Sequence, residues 1–406
     1  MKNKKFLSVI LSVTLMFSLC GVPALAEEDT TDNEQEIIET VEEQEEISDV
    51  EDDGIAEGEE YDREVIDDEE KPDNLFTIAV FSAAQEESIT DYLTYEENGD
   101  GIVITGCDTS IAGVVEIPAE IEELPVTEIG EKAFTGCTNM TSVIVPDSVL
   151  TIGLGAFYGC SNLIEMTVPF VGKNASGTGY CHIRYIFSNS TSGTYNSLPQ
   201  KLKKITVTGG AILGESAFYG CSNLTTVNLP DSLTKIEESA FYGCNSIQNI
   251  TIPSGVTSIG NEAFRSSGLT SIVIPDSVRT IGDSIFYQCS DLTRVTLSKG
   301  ITAISPHTFA SCSALLSVSF PENIKTIGKY AFEGCRSLTR LTIPGNVMTI
   351  DDYAFKGCFG LTSVTINEGV HSINQYAFLN CTGLTAVVIP NSVEEIGKNA
   401  FRVAPH

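Results

Sequence analysis

Along most of the chain the apolar residues return in one fixed order. Residues 221 to 243 show it: Leu224, Val227 and Leu229, then Pro230, then Leu233 and Ile236, then Ala240-Phe241. Val227 and Leu229 alternate with Thr226 and Asn228, which predicts one short strand with its apolar side inward. Pro230 brings no amide donor to a ladder and Asp231-Ser232 supplies turn chemistry, so the strand ends there and the chain turns back. Where Gly follows Ile, as at Ile259-Gly260 and Ile327-Gly328, a tight backbone turn is expected. The Ala-Phe landmark places Phe at 134, 157, 218, 241, 264, 286, 309, 332, 355, 378 and 401, mostly 23 residues apart. A fixed period in the twenties predicts a mainly β solenoid of about a dozen coils, each burying its apolar side against its neighbours.

The cysteines follow the same register. Of 12 Cys, nine (Cys137, Cys160, Cys221, Cys244, Cys289, Cys312, Cys335, Cys358 and Cys381) fall three residues after a landmark Phe. Stacked about one strand spacing apart and pointing the same way, such residues fit poorly with the torsion of a disulfide. The expectation is a buried column of free thiols, packing as small apolar groups and donating weakly to loop carbonyls. Zinc is not expected, because ligands one coil apart lack the clustered C-x-x-C spacing and His182, His307, His371 and His406 share no column.

The repeat I-P-x-S-V-x-x-I-G-x-x-A-F-x-G-C-x-x-L-T-x-V-x-I-P, running through residues 114 to 401, closely resembles the BspA-like, or Treponema-type, leucine-rich repeat family. The resemblance implies a parallel, right-handed solenoid whose strands form one sheet, with short strands and turns opposite. It also implies an exported surface protein acting through contact with other macromolecules, in several members as an adhesin for host proteins.

Two copies depart from the pattern. Between Leu163 and Leu202, which begin successive strands, one coil is enlarged, and residues 170–200 hold Tyr180, Cys181, His182, Arg184, Tyr185, Phe187 and Tyr195 in a Gly- and Ser-rich setting. Insertions in solenoids emerge as loops, often on the binding face, so Tyr180, Arg184, Tyr185, Phe187 and Tyr195 are candidate contact residues. The competing reading is a decoration whose aromatics pack on the solenoid flank. After Phe264, Arg-Ser-Ser-Gly stands in place of x-Gly-Cys-x-x, so one residue and one Cys are missing, which predicts a slight kink. Past Phe401 no further strand follows, so the last coil is expected to be frayed or covered by self-association.

The N-terminal part reads differently. Lys2, Lys4 and Lys5 precede an apolar run from Phe6 to Leu19 and then Ala24-Leu25-Ala26, the pattern of a secretory leader cut after Ala26. A retained membrane helix is the alternative, but the run is shorter than the roughly 20 residues that span a bilayer; acylation at Cys20 would want a small residue where Leu19 stands. Residues 27–90 are expected to be an acidic disordered linker: Glu27 to Asp73 hold 25 Asp and Glu against Arg63 and Lys71. The expected domain is therefore residues 91–406, with an N-terminal cap at 91–113.

The formal net charge of −32 and the lack of a basic stretch argue against nucleic-acid binding. No Ser/His/Asp or Cys/His set, paired carboxylates or phosphate-binding Gly loop has supporting context, so neither catalysis nor a cofactor is expected. The outward strand positions are mostly Ser, Thr and Asn, with Arg294 and Arg340 as the anchors of interface type. The expected function is non-catalytic binding by a secreted or cell-surface protein to an extracellular or cell-surface protein, including a host matrix protein, with no transmembrane anchor once the leader is cleaved. A spacer without a ligand and a glycan-binding module are the alternatives.

Overall fold

Strands in this protein are short because a proline or a polar turn follows each apolar alternation. Thr226–Asn228 pairs in parallel with Lys204–Val207, Val227 opposite Ile205. The same in-register pairing joins Ser271–Val273 to Arg294–Thr296 and Arg340–Ile343 to Ser363–Ile366, with exposed and buried residues alternating along each strand and Ile272, Val295, Leu341 and Val364 facing inward. Across the core, two-residue strands such as Thr326–Ile327, Thr349–Ile350 and Ser372–Ile373 form a second parallel ladder. The computed structural model describes residues 88–99, 101–190 and 198–403. The leader, residues 27–87 of the acidic stretch, and Tyr195 lie outside the described residues.

The described residues form a stack of about 13 turns with no α-helix among them. At its N-terminal end an antiparallel hairpin, Leu93–Asn98 with Gly101–Cys107, pairs in parallel with Leu124–Ile129 and lays the fully buried Ile102 and Ile104 over the first coil.

Phenylalanine forms the spine. Phe218, Phe241, Phe264, Phe286, Phe309, Phe332, Phe355 and Phe378 are at most 1% exposed and stack ring on ring, with centroids 5.0 to 5.7 Å apart. Burial of one such side chain is worth about 1.5 to 3 kcal/mol, with offset stacking adding to it. The turn that delivers each Phe is bracketed by two left-handed residues. Two positions before the Phe stand Ser239 (φ 55°), Tyr353 (φ 58°) and their equivalents, and two after it stand Gly243 (φ 70°) and Gly357 (φ 70°). That pair of left-handed bends turns both Ala and Phe inward.

The glycine after Ile has a different job from the expected tight turn. A Cβ on Gly260 would come within 2.5 Å of the Glu238 amide nitrogen in the preceding coil, and one on Gly328 within 2.7 Å of the Ile304 carbonyl oxygen. Close approach between coils, and not a positive φ, is what favours glycine there.

The cysteine column is built as a hydrogen-bonded stack. Each of Cys160, Cys244, Cys289, Cys312, Cys335, Cys358 and Cys381 donates its thiol to the Phe carbonyl of the preceding coil, at 2.9 to 3.2 Å. All the cysteines of the described residues are free. The coil after Phe264 does lack a Cys, but its column position is not empty. Ser267, 5% exposed, fills it and lies 3.3 Å from the Cys289 sulfur. The missing residue falls after it, where Gly268 is drawn so near the previous coil that a Cβ would overlap the Asn245 carbonyl oxygen.

The enlarged coil hides a further copy of the motif. Phe157 donates its amide to Ile186 O where Phe134 donates to Ala156 O, so Ile186 stands in the Ala position and Phe187 in the Phe position. Phe187 is 3% exposed and meets Phe157 at 6.3 Å, tilted by 47°. Tyr185-Ile186-Phe187 is thus a degenerate copy of Tyr330-Ala331-Phe332, carried on a 3-10 turn, Ile183–Phe187. Tyr185 and Phe187 therefore leave the set of expected contact residues: they belong to the core.

Candidate binding surface

The Phe turn presents two positions to the flank of the stack, one residue after the Phe and two before it. In successive coils these hold Tyr219, Tyr242, Arg265 and Tyr287 after the Phe, then His307, Tyr330, Tyr353 and Tyr376 before it. The two sets join into one ribbon. Tyr219 stacks on Tyr242 at 4.7 Å, and the Arg265 guanidinium lies between Tyr242 and Tyr287, 5.2 and 4.6 Å from their centroids. Tyr287 meets His307 edge-on at 6.2 Å, and this is where the ribbon changes position. His307, Tyr330, Tyr353 and Tyr376 then stack at 4.8 to 4.9 Å with planes within 14°. Lys356 sits 5.9 and 5.7 Å from the Tyr330 and Tyr353 rings while pairing with Glu333 at 2.8 Å.

Left-handed backbone at a bulky residue is costly, on the order of 1 to 2 kcal/mol. His307, Tyr330, Tyr353 and Tyr376 all adopt it, with φ between 55° and 59°. Stacking at about 0.5 to 1.5 kcal/mol per aromatic pair offsets that strain, and Tyr353 is stacked on both faces. Ser, Glu and Asn take the same backbone position in other coils, so the fold does not need aromatics there.

At the N-terminal end of the ribbon the enlarged coil makes a cavity of about 220 Å³ lined by His182, Arg184, Ser216, Ala217 and Tyr219. Arg184 donates from Nη2 to Gly220 O at 2.6 Å, which fixes its guanidinium to the coil below. Among the described residues no carboxylate pairs with Arg184. Burial first, and then the Arg184 charge, push the His182 imidazole down to about 4, so it is neutral at physiological pH. Tyr180 is 42% exposed and covers Tyr185 at 5.0 Å. Of the residues expected to make contacts in this coil, Tyr180 and Arg184 remain available.

A second candidate lies on the long-strand face. The ladder is interrupted at Asn249–Thr251, where no backbone hydrogen bond reaches either neighbouring strand, and the gap opens a groove of about 500 Å³. Thr226, Asn228, Asn249, Thr251 and Ser271 line it. Arg294 and Arg340 are exposed on this same face, each at the first position of its strand, without an ion pair among the described residues.

Sequence reasoning placed Arg294, Arg340, Tyr180 and Arg184 on the surface but missed the ribbon. The signal was present as Tyr one residue after Phe218, Phe241 and Phe286 and two residues before Phe332, Phe355 and Phe378. Neither column is continuous alone, and only the fold shows that one hands over to the other.

The column thiols have no His partner among the described residues, and burial raises Cys160 and Cys221 to about 12 and Cys289 to about 11. Thiols held neutral in this way are poor nucleophiles. Among the described residues no group of three or more His, Cys, Asp or Glu could hold a metal ion, and no helix is long and apolar enough to cross a membrane.

A family model described as BspA type leucine rich repeat region matches in six copies over residues 116–208, 211–317 and 302–404. Among solved structures, a leucine-rich repeat protein from Bacteroides ovatus is 26% identical, with 77% of this chain and 91% of that one covered and a TM-score of 0.37. The leucine-rich repeat protein of T. pallidum is 24% identical, covers 62% of this chain and 91% of its own, and gives a TM-score of 0.32. The pneumococcal vaccine antigen PcpA is 18% identical over 76% of this chain and 92% of its own, with a TM-score of 0.38. No curated protein matches the sequence. With most of its repeat region matched by the family model, the chain belongs to the BspA-type leucine-rich repeat family.

Proposed function

We propose that this is an exported, non-catalytic binding protein, secreted or held at the cell surface, that contacts a host or neighbouring-cell protein through the aromatic and cationic ribbon. Family membership supports a protein-binding role. The observation that carries the reading is the run from Tyr219 to Tyr376, a continuous row of Tyr, Arg and His where the outward strand positions are mostly Ser, Thr and Asn. Tyr and Arg dominate interface energetics, and each ring here is braced by its neighbours, so little side-chain entropy is left to lose on binding. The stacking also weighs against sugar recognition by this ribbon, because a ring whose faces are already covered offers only its edge.

The test is a panel of immobilised host matrix proteins probed with the full chain and point variants. Arg265→Ala combined with Tyr330→Ala should weaken saturable binding by about 2 kcal/mol, roughly thirtyfold in Kd, while Arg340→Ala on the strand face should leave it nearly unchanged. Equal binding by the ribbon variant would remove this reading, and no saturable binding by any form would leave a spacer. Excising residues 172–196 is not a sound alternative, because Ile183 and Phe187 are core residues.

A glycan-binding reading is favoured by a different observation, the groove of about 500 Å³ in which the hydroxyl and amide groups of Thr226, Asn228, Asn249, Thr251 and Ser271 stand beside apolar residues such as Leu229, Ile250 and Val273. It predicts selective glycan-array signals that Asn249→Ala removes and the ribbon variants do not.

A further inference from the structure

We propose that the tyrosine stack is a site of oxidative phenol coupling, at which a haem peroxidase with hydrogen peroxide joins adjacent coils by dityrosine bonds, Tyr219 to Tyr242 and Tyr353 to either Tyr330 or Tyr376. The proposal does not rest on the binding role.

The geometry is specific to these residues. Tyr219 and Tyr242 stack at 4.7 Å with planes 19° apart, and Tyr353 lies 4.8 Å from Tyr330 and 4.9 Å from Tyr376, at 11° and 13°. Near-parallel rings at this separation hold the edges of neighbouring phenols close enough for their ortho carbons to meet after a small ring rotation. Tyr219 is 45% exposed, and Tyr242, Tyr330, Tyr353 and Tyr376 are partly exposed, so oxidant reaches their outer edges. The other stacked pair, Tyr180 with Tyr185, differs because Tyr185 is 6% exposed and its ring edge is enclosed. Holding the partners in contact turns the encounter of two radicals into an intramolecular step.

One hydrogen peroxide, reduced to two waters by the peroxidase, takes one electron and one proton from each of two phenols. The two phenoxyl radicals pair their electrons in a new carbon–carbon bond between ortho carbons, and the two ortho hydrogens then return to the phenolic oxygens. The product is a biphenol that covalently links two coils.

Tyr287 supplies an internal control. It lies in the same ribbon and is also partly exposed, but its neighbours are Arg265 and His307, which cannot couple in this way. The experiment treats the dilute full chain with peroxidase and peroxide, isolates the monomer band, and maps cross-linked peptides by mass spectrometry alongside dityrosine fluorescence. Peptides joining Tyr219 to Tyr242, and Tyr353 to Tyr330 or Tyr376, are expected, with none containing Tyr287. Tyr353→Phe keeps the ring and removes the phenol, so intrachain dityrosine should fall about twofold, and adding Tyr242→Phe should abolish it. Circular dichroism of both variants confirms the fold. Dityrosine confined to dimer bands, intrachain links at Tyr287, or an undiminished yield in Tyr353→Phe would overturn the proposal.

Discussion

Raising the pH from 8 to 9.5 should sharply destabilise this protein before its lysines titrate. Cys160, Cys221, Cys244, Cys289, Cys312, Cys335 and Cys358 are buried, and desolvation is the leading cause that raises every one of them. An unfolded thiol ionises near 8.5, whereas Cys289 in the folded chain holds its proton to about 11 and Cys160 and Cys221 to about 12. A raised folded pKa contributes stability that is fully present below the unfolded value and is lost as pH rises above it toward the folded one. Each thiol then removes about 1.4 kcal/mol per pH unit, so the column together removes on the order of 10 kcal/mol by about pH 9.5, comparable with the whole stability of a typical domain. The measurement is the urea midpoint at pH 7, 8, 9 and 9.5 in the presence of a phosphine reductant. A midpoint that stays flat to pH 9.5 would show that the thiols are not buried as a neutral column. Replacing Cys312 and Cys335 together by Ala should shallow the slope, at the cost of a lower midpoint at pH 7.

The same burial predicts selective labelling. At pH 8 in the native protein, iodoacetamide should react at the Cys107–Cys137 pair, where Cys107 is partly exposed and the hydrogen bond from Cys107 lowers the Cys137 thiol, and should leave Cys160, Cys221, Cys289, Cys312 and Cys335 untouched until urea is added. Labelling of Cys335 in the native state at a rate near that of Cys107 would contradict the fold.

What could be read from the sequence follows from where the repeat is constrained. Phe241, Ala240, Leu224 and Cys244 recur because the stack demands their size, and the structure buries all four. The left-handed residues that bracket the turn could not be seen in the same way. Their sites carry Ser239, Glu262, His307 and Tyr353 as well as glycine, because the backbone there is forced by the coils above and below and not by residue preference. Phe187 escaped for a related reason. It lies 30 residues after Phe157 and 31 before Phe218, so neither interval matches the period, and Ile186 replaces the landmark Ala. Ile285-Phe286 shows that Ile fits that place, since both are fully buried. The ribbon was hidden because surface columns carry no packing constraint, and its two halves occupy different positions of the repeat.

Phe332→Ala should divide the molecule into two cooperative parts. Phe332 is fully buried, stacks on Phe309 and Phe355 at 5.1 Å on both sides, and takes the edge of Phe320 at 5.9 Å. Truncation to Ala removes those contacts and leaves a cavity that the neighbouring coils cannot close, since their spacing is fixed by the ladders Thr326–Ile327 with Thr349–Ile350 and Phe332 N–H to Ala354 O. The cost should be about 3 to 5 kcal/mol. In a stacked array stability is the sum of each coil and its two interfaces, so the loss falls on the interfaces of one coil and weakens the coupling between the parts on either side. Urea unfolding that is a single transition in the parent should split into two, and hydrogen exchange should show residues 309–396 losing protection before residues 126–264. Phe332→Leu should cost about 1.5 kcal/mol or less and keep one transition, because most of the volume is conserved. Thr342→Ala, on the exposed side of the neighbouring strand, should stay within about 0.5 kcal/mol of the parent. A Phe332→Ala protein that still unfolds in one step at the parent's midpoint would mean that the phenylalanine spine does not couple the coils.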